Sequence, residues 1–173
     1  TYDVLRQLYK TNAPAGNGAN RSLMRDFRIY MAVGGMPQAV QAYVDGKNFS
    51  FIDKVKRGII DLYIDDFKKI DDSGLIGKMY KSIPSQLATQ KKRYVISTAT
   101  KKRTIQKDIE RLSDLLDSKT VIPCYNTRDP NITLSQTQDN DTFKLYLSDV
   151  GLFTTMIFES SPDTGDNIYT NLL

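Results

Sequence analysis

The segment "TKKRTIQKDIERLSDLLDSK", Thr100 to Lys119, runs directly into "TVIPCYNT", Thr120 to Thr127, and the hydrophobic period changes where they meet. In the first segment Ile105, Ile109, Leu112, Leu115 and Leu116 share one face at helical spacing. That predicts an amphipathic helix with these residues inside and Lys102, Lys107, Asp108 and Arg111 mostly outside. The second segment is rich in β-branched and aromatic residues. So is "FKLYLSD", Phe143 to Asp149, which follows a polar stretch full of Asp, Asn, Thr and Gln. Both read as short strands. Helix, helix and then a two-stranded ribbon with a polar tip is the order of a winged helix-turn-helix.

Upstream the chain reads as a series of helices. "GLIGKMYKSIPSQLAT" carries Leu75, Met79, Ile83 and Leu87 on one face, with Pro84 kinking the helix or dividing it in two. "SFIDKVKRGIIDLYIDDFKKI" carries a stripe of Ile52, Val55, Ile59, Leu62, Tyr63 and Phe67, and Ser50 with Asp53 resembles a weak capping box. Before it, "YMAVGGMPQAV", Tyr30 to Val40, breaks a helix at Gly34 and Gly35 and restarts one at Pro37. The first of these helices is expected to start at Ser22 and to bury Leu23, Phe27 and Tyr30 or Met31. The second should bury Val40, Tyr43 and Val44 and be capped by Gly46. Such a corner lets two helices pack closely or lets a ligand approach the main chain, and the residues alone leave both readings open. An opening helix over Tyr2 to Lys10, with Val4, Leu5, Leu8 and Tyr9 apolar, leads into the loop "TNAPAGNGAN". Downstream, Asp149 is placed to cap a last helix, "VGLFTTMIF".

Composition narrows the functional classes. At 173 residues and 40% hydrophobic content the chain can bury a core. Its 24 basic and 20 acidic residues give a net charge of +4, which permits an acidic partner without requiring one. Cys124 is the single cysteine and there is no histidine. That excludes an internal disulfide framework, a mixed Cys/His zinc site and any triad with an imidazole base. With no bilayer-length apolar run and no signal peptide, the cytoplasm is the expected compartment and no membrane partner is expected. The chain begins at Thr1 and stops at "DNIYTNLL", and it reads as a piece of something longer.

From about Ser22 onward, "YMAVGGMPQAVQAYVDGKNF", "IIDLYIDDFKKI", "SIPSQLA" and "TFKLYLSDVGLF" occur in an order that resembles a widespread group of prokaryotic AAA-type P-loop ATPases. Members of that group have an ATPase core, a helical lid, a winged-helix region in a domain of unknown function and a nuclease-like C-terminal fold. The resemblance implies a mostly α fold, with a helical lid followed by a winged helix-turn-helix and its short two-stranded β ribbon. It implies a lid segment over 1–49, a winged-helix domain over 50–161, and over 162–173 the start of a connector to a further domain. It also implies that Gly34, Gly35 and Pro37 contact the adenine side of a nucleotide. The phosphate-binding pattern G-x-x-x-x-G-K-[ST] is absent, and so is an acidic strand to hold magnesium. The segment itself is therefore expected not to be an enzyme and to hold no cofactor, with ATP and Mg implied only for a parent chain. Its implied partners are the ATPase core of that same chain and duplex DNA.

Lys91, Lys92, Arg93, Lys101, Lys102, Arg103, Lys107 and Arg111 concentrate positive charge around the expected recognition helix. Phosphate contacts would use these residues, and base readout would use Thr104, Gln106 and Lys107. In the wing loop Asp139 and Asp141 oppose that role, whereas Arg128 favours it. A solvated face in which Asp108, Glu110 and Asp114 pair with their basic neighbours is the alternative. The doublets Asp65 with Asp66 and Asp71 with Asp72 point about 100° apart on a helix and read as surface and helix-end charges. Cys124 reads as packed in a strand. Three functional readings follow: a non-catalytic lid and winged-helix module coupling nucleotide state to protein or DNA, a free-standing winged-helix DNA-binding protein, and an interaction scaffold.

Overall fold

The computed structural model describes residues 2–158 apart from 91–92, 101–104, 128, 130–132 and 134–135. Its longest element is α4 (Phe49–Ile70), following α1 (Tyr2–Thr11), α2 (Gly16–Val33) and α3 (Pro37–Val44). Asn48 starts α4 from an extended conformation, and its Oδ1 accepts the Phe51 amide at 2.9 Å. That leaves Ser50 inside the first turn and Asp53 turned into the core, so the expected Ser50–Asp53 capping box does not form. Ile52, Ile59, Ile60 and Phe67 line the buried face of α4, while Leu62, expected there too, is 61% exposed. Lys68 and Lys69 occupy the last turn, where cations suit the helix dipole, and bond Asp65 and Asp66 at 3.0 and 2.7 Å on the surface.

Beyond α4, α5 (Leu75–Lys81) and α6 (Ile83–Leu87) are separate helices, so Pro84 divides the segment and does not merely kink it. Two more helices, α7 (Ile96–Thr100) and α8 (Ile105–Asp117), precede an antiparallel hairpin of β1 (Val121–Thr127) and β2 (Gln138–Leu147). The register runs from Val121 opposite Leu147 to Tyr125 opposite Phe143, then shifts so that Asn126 faces Asp139. Val121, Phe143, Leu145 and Leu147 turn inward. The Tyr94 amide donates to the Phe143 carbonyl at 2.9 Å, which lays the segment before α7 along β2. A final helix, α9 (Val150–Ile157), closes the described chain. The fold is thus mostly α with one small two-stranded antiparallel sheet, in the expected order. The segment 162–173, read as a connector, lies outside the described residues.

One apolar cluster centres on Ile76, Met79, Tyr80, Ile83, Leu115, Leu145 and Leu152. A smaller one joins Val33, Ala39, Ala42 and Ile52. Several helix faces differ from those the sequence predicts. The α2 helix begins at Gly16, whose φ is 68°, inside the stretch read as a loop, and Ser22 lies within the helix. Phe27 and Tyr30 are 50% and 53% exposed, and Val40, Tyr43 and Val44 are exposed as well. The buried positions are instead Ala32, Val33, Ala39 and Ala42, because the helices close on their small residues and turn the large ones outward. On α8, Ile109 is 48% exposed, whereas Asp108, expected outside, is 5% exposed and accepts from Thr100 Oγ1 at 2.9 Å. Cys124, expected to be packed, alternates to the exposed side of β1.

The cap assignment is testable by urea denaturation. Asn48→Ala should cost about 1 kcal/mol, because the Phe51 amide loses its acceptor, while Ser50→Ala should stay within about 0.5 kcal/mol of wild type.

Candidate functional site

The corner expected from "VGGMP" is present, and its other half comes from the far end of the chain. Gly34 caps α2 with φ 79° and ψ −163°, and its amide donates to the Tyr30 carbonyl at 2.8 Å. Met36 is extended and Pro37 opens α3. A Cβ on Gly34 would stand 2.5 Å from Asp149 Oδ1 and 2.8 Å from Gly151 Cα. A Cβ on Gly151 would stand 2.5 Å from the Val33 carbonyl. The end of α2 and the start of α9 therefore cross glycine on glycine, with the space of both missing side chains filled by main chain and carboxylate.

Asp149 fastens the crossing. Its Oδ1 accepts the Leu152 amide at 2.8 Å, which is the expected cap of α9, and its Oδ2 accepts the Gly35 amide at 2.6 Å. Beneath it, Lys56 is 1% exposed, and its Nζ donates to the Ala32 carbonyl at 2.6 Å and the Gly151 carbonyl at 3.3 Å. Burial holds the Lys56 ammonium down to about 8, although Asp53 and Asp149 favour its charged form. Asp53, 2% exposed, accepts from Arg57 Nε at 2.7 Å and Thr155 Oγ1 at 2.8 Å. Asp53, Lys56, Arg57 and Asp149 thus bind α4 to both sides of the corner. None of the first three stood out in the sequence as a site residue. Periodicity does carry the signal, since Lys56 lies four residues after Ile52 and three before Ile59, on the core stripe.

Of the nucleotide-contacting candidates, Gly34 is buried in this packing, while Gly35 and Pro37 remain exposed. A groove of about 510 Å³ opens nearby, lined by Tyr30, Leu87, Tyr146, Asp149, Val150 and Phe153 among others.

The basic cluster divides differently. Lys91, Lys92, Lys101, Lys102, Arg103 and Thr104 lie outside the described residues, as does Arg128 of the wing loop. Gln106 and Lys107 face outward from α8. Arg93 is exposed and donates from Nη2 to the Asp141 carbonyl at 3.1 Å. Arg111 is engaged internally: it reaches Asp71 at 3.1 and 3.3 Å and Asp108 at 3.1 Å. Burial alone would raise the Asp71 carboxyl, but hydrogen bonds from Ser73 and Arg111 hold it below the usual carboxylate range. Asp71 thus ties α8 to the end of α4, a role beyond a plain helix-end charge. Between residues 93–97, α8 and β2 runs a second groove, of about 700 Å³, whose apolar walls include Ile96, Ile109, Leu112 and Phe143. Among the described residues no group of three or more Asp, Glu, Cys or His side chains is placed to hold a metal ion, and no helix is long and apolar enough to cross a membrane.

Glycine substitutions separate crowding from backbone strain. Gly46 also has a positive φ, 74°, but a Cβ there meets nothing within 4 Å. Gly46→Ala should cost about 1 kcal/mol, and Gly34→Ala at least about 3 kcal/mol, since it adds a collision with Asp149 and Gly151 to similar strain. Equal losses in denaturant titrations would contradict the glycine-on-glycine crossing.

No curated protein and no solved structure matches the chain. A family model does match, over residues 24–163, a span that takes in α4, both strands, α9 and all four residues of the buried polar group. The chain belongs to the family described as Domain of unknown function (DUF8612).

Proposed function

We propose that this chain is a non-catalytic lid and winged-helix module of an AAA-type ATPase, which couples nucleotide state to a protein or DNA partner. The observation that carries this reading is the hydrogen bond from the Gly35 amide to Asp149, 2.6 Å long and spanning 114 residues. The corner that the family resemblance assigns to the nucleotide, exposed at Gly35 and Pro37, shares one carboxylate with the start of α9, the element directly after β2. A ligand that shifts Gly35 must either move Asp149 or break its bond, so a change at the corner reaches the hairpin without a long relay. The sequence of α7, α8 and hairpin matches the winged-helix order, and it presents Gln106 and Lys107 outward.

A specific observation favours a protein partner over DNA. Arg111 is neutralised by Asp71 and Asp108, and the groove beside α8 is apolar, with Ile109 exposed at its edge. A phosphate-binding face would leave its guanidinium groups free.

Two titrations test the two limbs. With millimolar ATP, the amide resonances of Gly35 and Leu152 should shift together; no shift at either would remove the nucleotide limb. Fluorescence anisotropy of a short DNA duplex across a salt series tests the other. A Kd that weakens steeply with salt, and a slope flattened by charge reversal at Lys101, Lys102 and Arg103, would establish DNA as the partner. Absence of binding at low salt would leave the protein partner as the reading.

A further inference from the structure

Within α2 only Ala32 and Val33 are buried, so the first half of the helix projects beyond the core. On a helix advancing about 100° per residue, Leu23, Met24, Phe27, Tyr30 and Met31 form one apolar stripe. Leu23 and Met31 are half-buried, whereas Met24, Phe27 and Tyr30 are exposed, and the rings of Phe27 and Tyr30 lie 6.5 Å apart. The stripe runs into the groove of about 510 Å³ near the glycine corner, since Tyr30 belongs to both. Across that groove Tyr146 stands exposed on the hairpin, and Leu87 and Phe153 are half-buried in its walls.

Charge is spread unevenly over the two edges of the stripe. Arg21, Arg25 and Arg28 fall on one edge and Asp26 on the other. Arg25 reaches Asp26 at 3.7 Å in solvent, while neither Arg21 nor Arg28 is within ion-pair distance of a carboxylate among the described residues. Aromatic residues, Met and Arg are the types that protein interfaces favour, and a guanidinium fork grips a carboxylate through paired hydrogen bonds. A second copy of the chain fits this face poorly. Packed face to face and antiparallel, two such helices set the arginine edge against itself, and packed parallel they offer it only Asp26. A flat membrane surface fits poorly too, because the stripe ends in a concave groove suited to a side chain that protrudes from a partner.

We propose that the α2 face and the groove at its end dock an acidic amphipathic helix of a protein partner. The apolar ridge of that helix lies along Met24, Phe27 and Tyr30, and one of its large apolar side chains enters the groove beside Tyr146. Its Asp or Glu residues meet the edge of Arg21, Arg25 and Arg28. This surface shares no lining residue with the groove beside α8, and the inference does not depend on the ATPase reading.

The test is a titration of the whole chain, without nucleotide or DNA, with two synthetic amphipathic helices that carry the same Leu stripe, one flanked by Glu and the other by Lys. In side-chain NMR spectra the Glu peptide should shift Met24, Phe27, Tyr30 and Tyr146, and the Lys peptide should leave them in place. Arg21→Glu combined with Arg28→Glu should weaken the Glu peptide at least about tenfold, and Tyr146→Ala roughly tenfold, with the core untouched in both. Equal binding of the two peptides, no binding at millimolar peptide, or an affinity indifferent to the arginine reversals would overturn the proposal. So would binding to phosphatidylglycerol vesicles in place of the peptide, which assigns the face to a membrane, or a dimer dispersed by Phe27→Glu, which assigns it to a second copy.

Discussion

One carboxylate, that of Asp149, organises the architecture. Each of its oxygens takes a main-chain amide, one from the restart of the chain after α2 and one from the first turn of α9. That double acceptance is possible only because Gly34 and Gly151 let the two backbones meet without side chains between them. Take away the carboxylate and both helix ends lose an amide acceptor. A methyl group at Gly34 would collide with the carboxylate, and one at Gly151 with the Val33 carbonyl and the Gly34 backbone. The hairpin is positioned by the same residue, since Asp149 follows β2 with only Ser148 between, and Ser148 itself donates its amide to the Thr120 carbonyl at the start of β1.

Below the carboxylate the core holds charged and hydroxyl side chains as well as apolar ones. Asp53 and Lys56 are almost fully buried, and Tyr80 is fully buried with no hydrogen-bond partner for its hydroxyl among the described residues. Removing one member of such a set exposes the charges of the others to a poorly solvating interior, so these residues fix one arrangement more than they add net stability. By contrast, the pairs of Lys68 and Lys69 with Asp65 and Asp66 lie in solvent and decide little.

What the residues reveal beforehand follows the kind of force involved. Local rules made the elements readable: Pro37 opening a helix, Asp149 capping one, the change of period before Val121, and the β-branched strands. Face assignments from large apolar residues failed on α2 and α3, because close approach at a glycine corner selects Ala32, Ala39 and Ala42 for the interior and leaves Phe27, Tyr30 and Tyr43 at the surface. The partnership between the two glycine-bearing motifs was not legible, since 114 residues separate Gly35 from Asp149 and nothing local announces the meeting. Lys56 could have been noticed at its core-phase position, but a lysine there is ordinarily read as reaching out to solvent. For Arg111 the fold supplies what charge counting cannot: the sequence treats its charge as available, and only the fold brings Asp71 to it.

That long separation bears on how the chain is made. Closing a segment of this length costs about 4 kcal/mol in chain entropy by the logarithmic scaling, before any contact returns it. During synthesis the helices through α3 leave the ribosome well ahead of Asp149, so the two glycines at their corner must wait, unpaired and hydrated, until almost the whole described chain has emerged. A nascent chain stopped anywhere before α9 would carry its N-terminal helices without the element that seats them. The corner is therefore among the late tertiary contacts of the described chain, with the Thr155–Asp53 bond later still, and nascent chains arrested and released before Asp149 and after Ile157 should differ sharply in protease resistance.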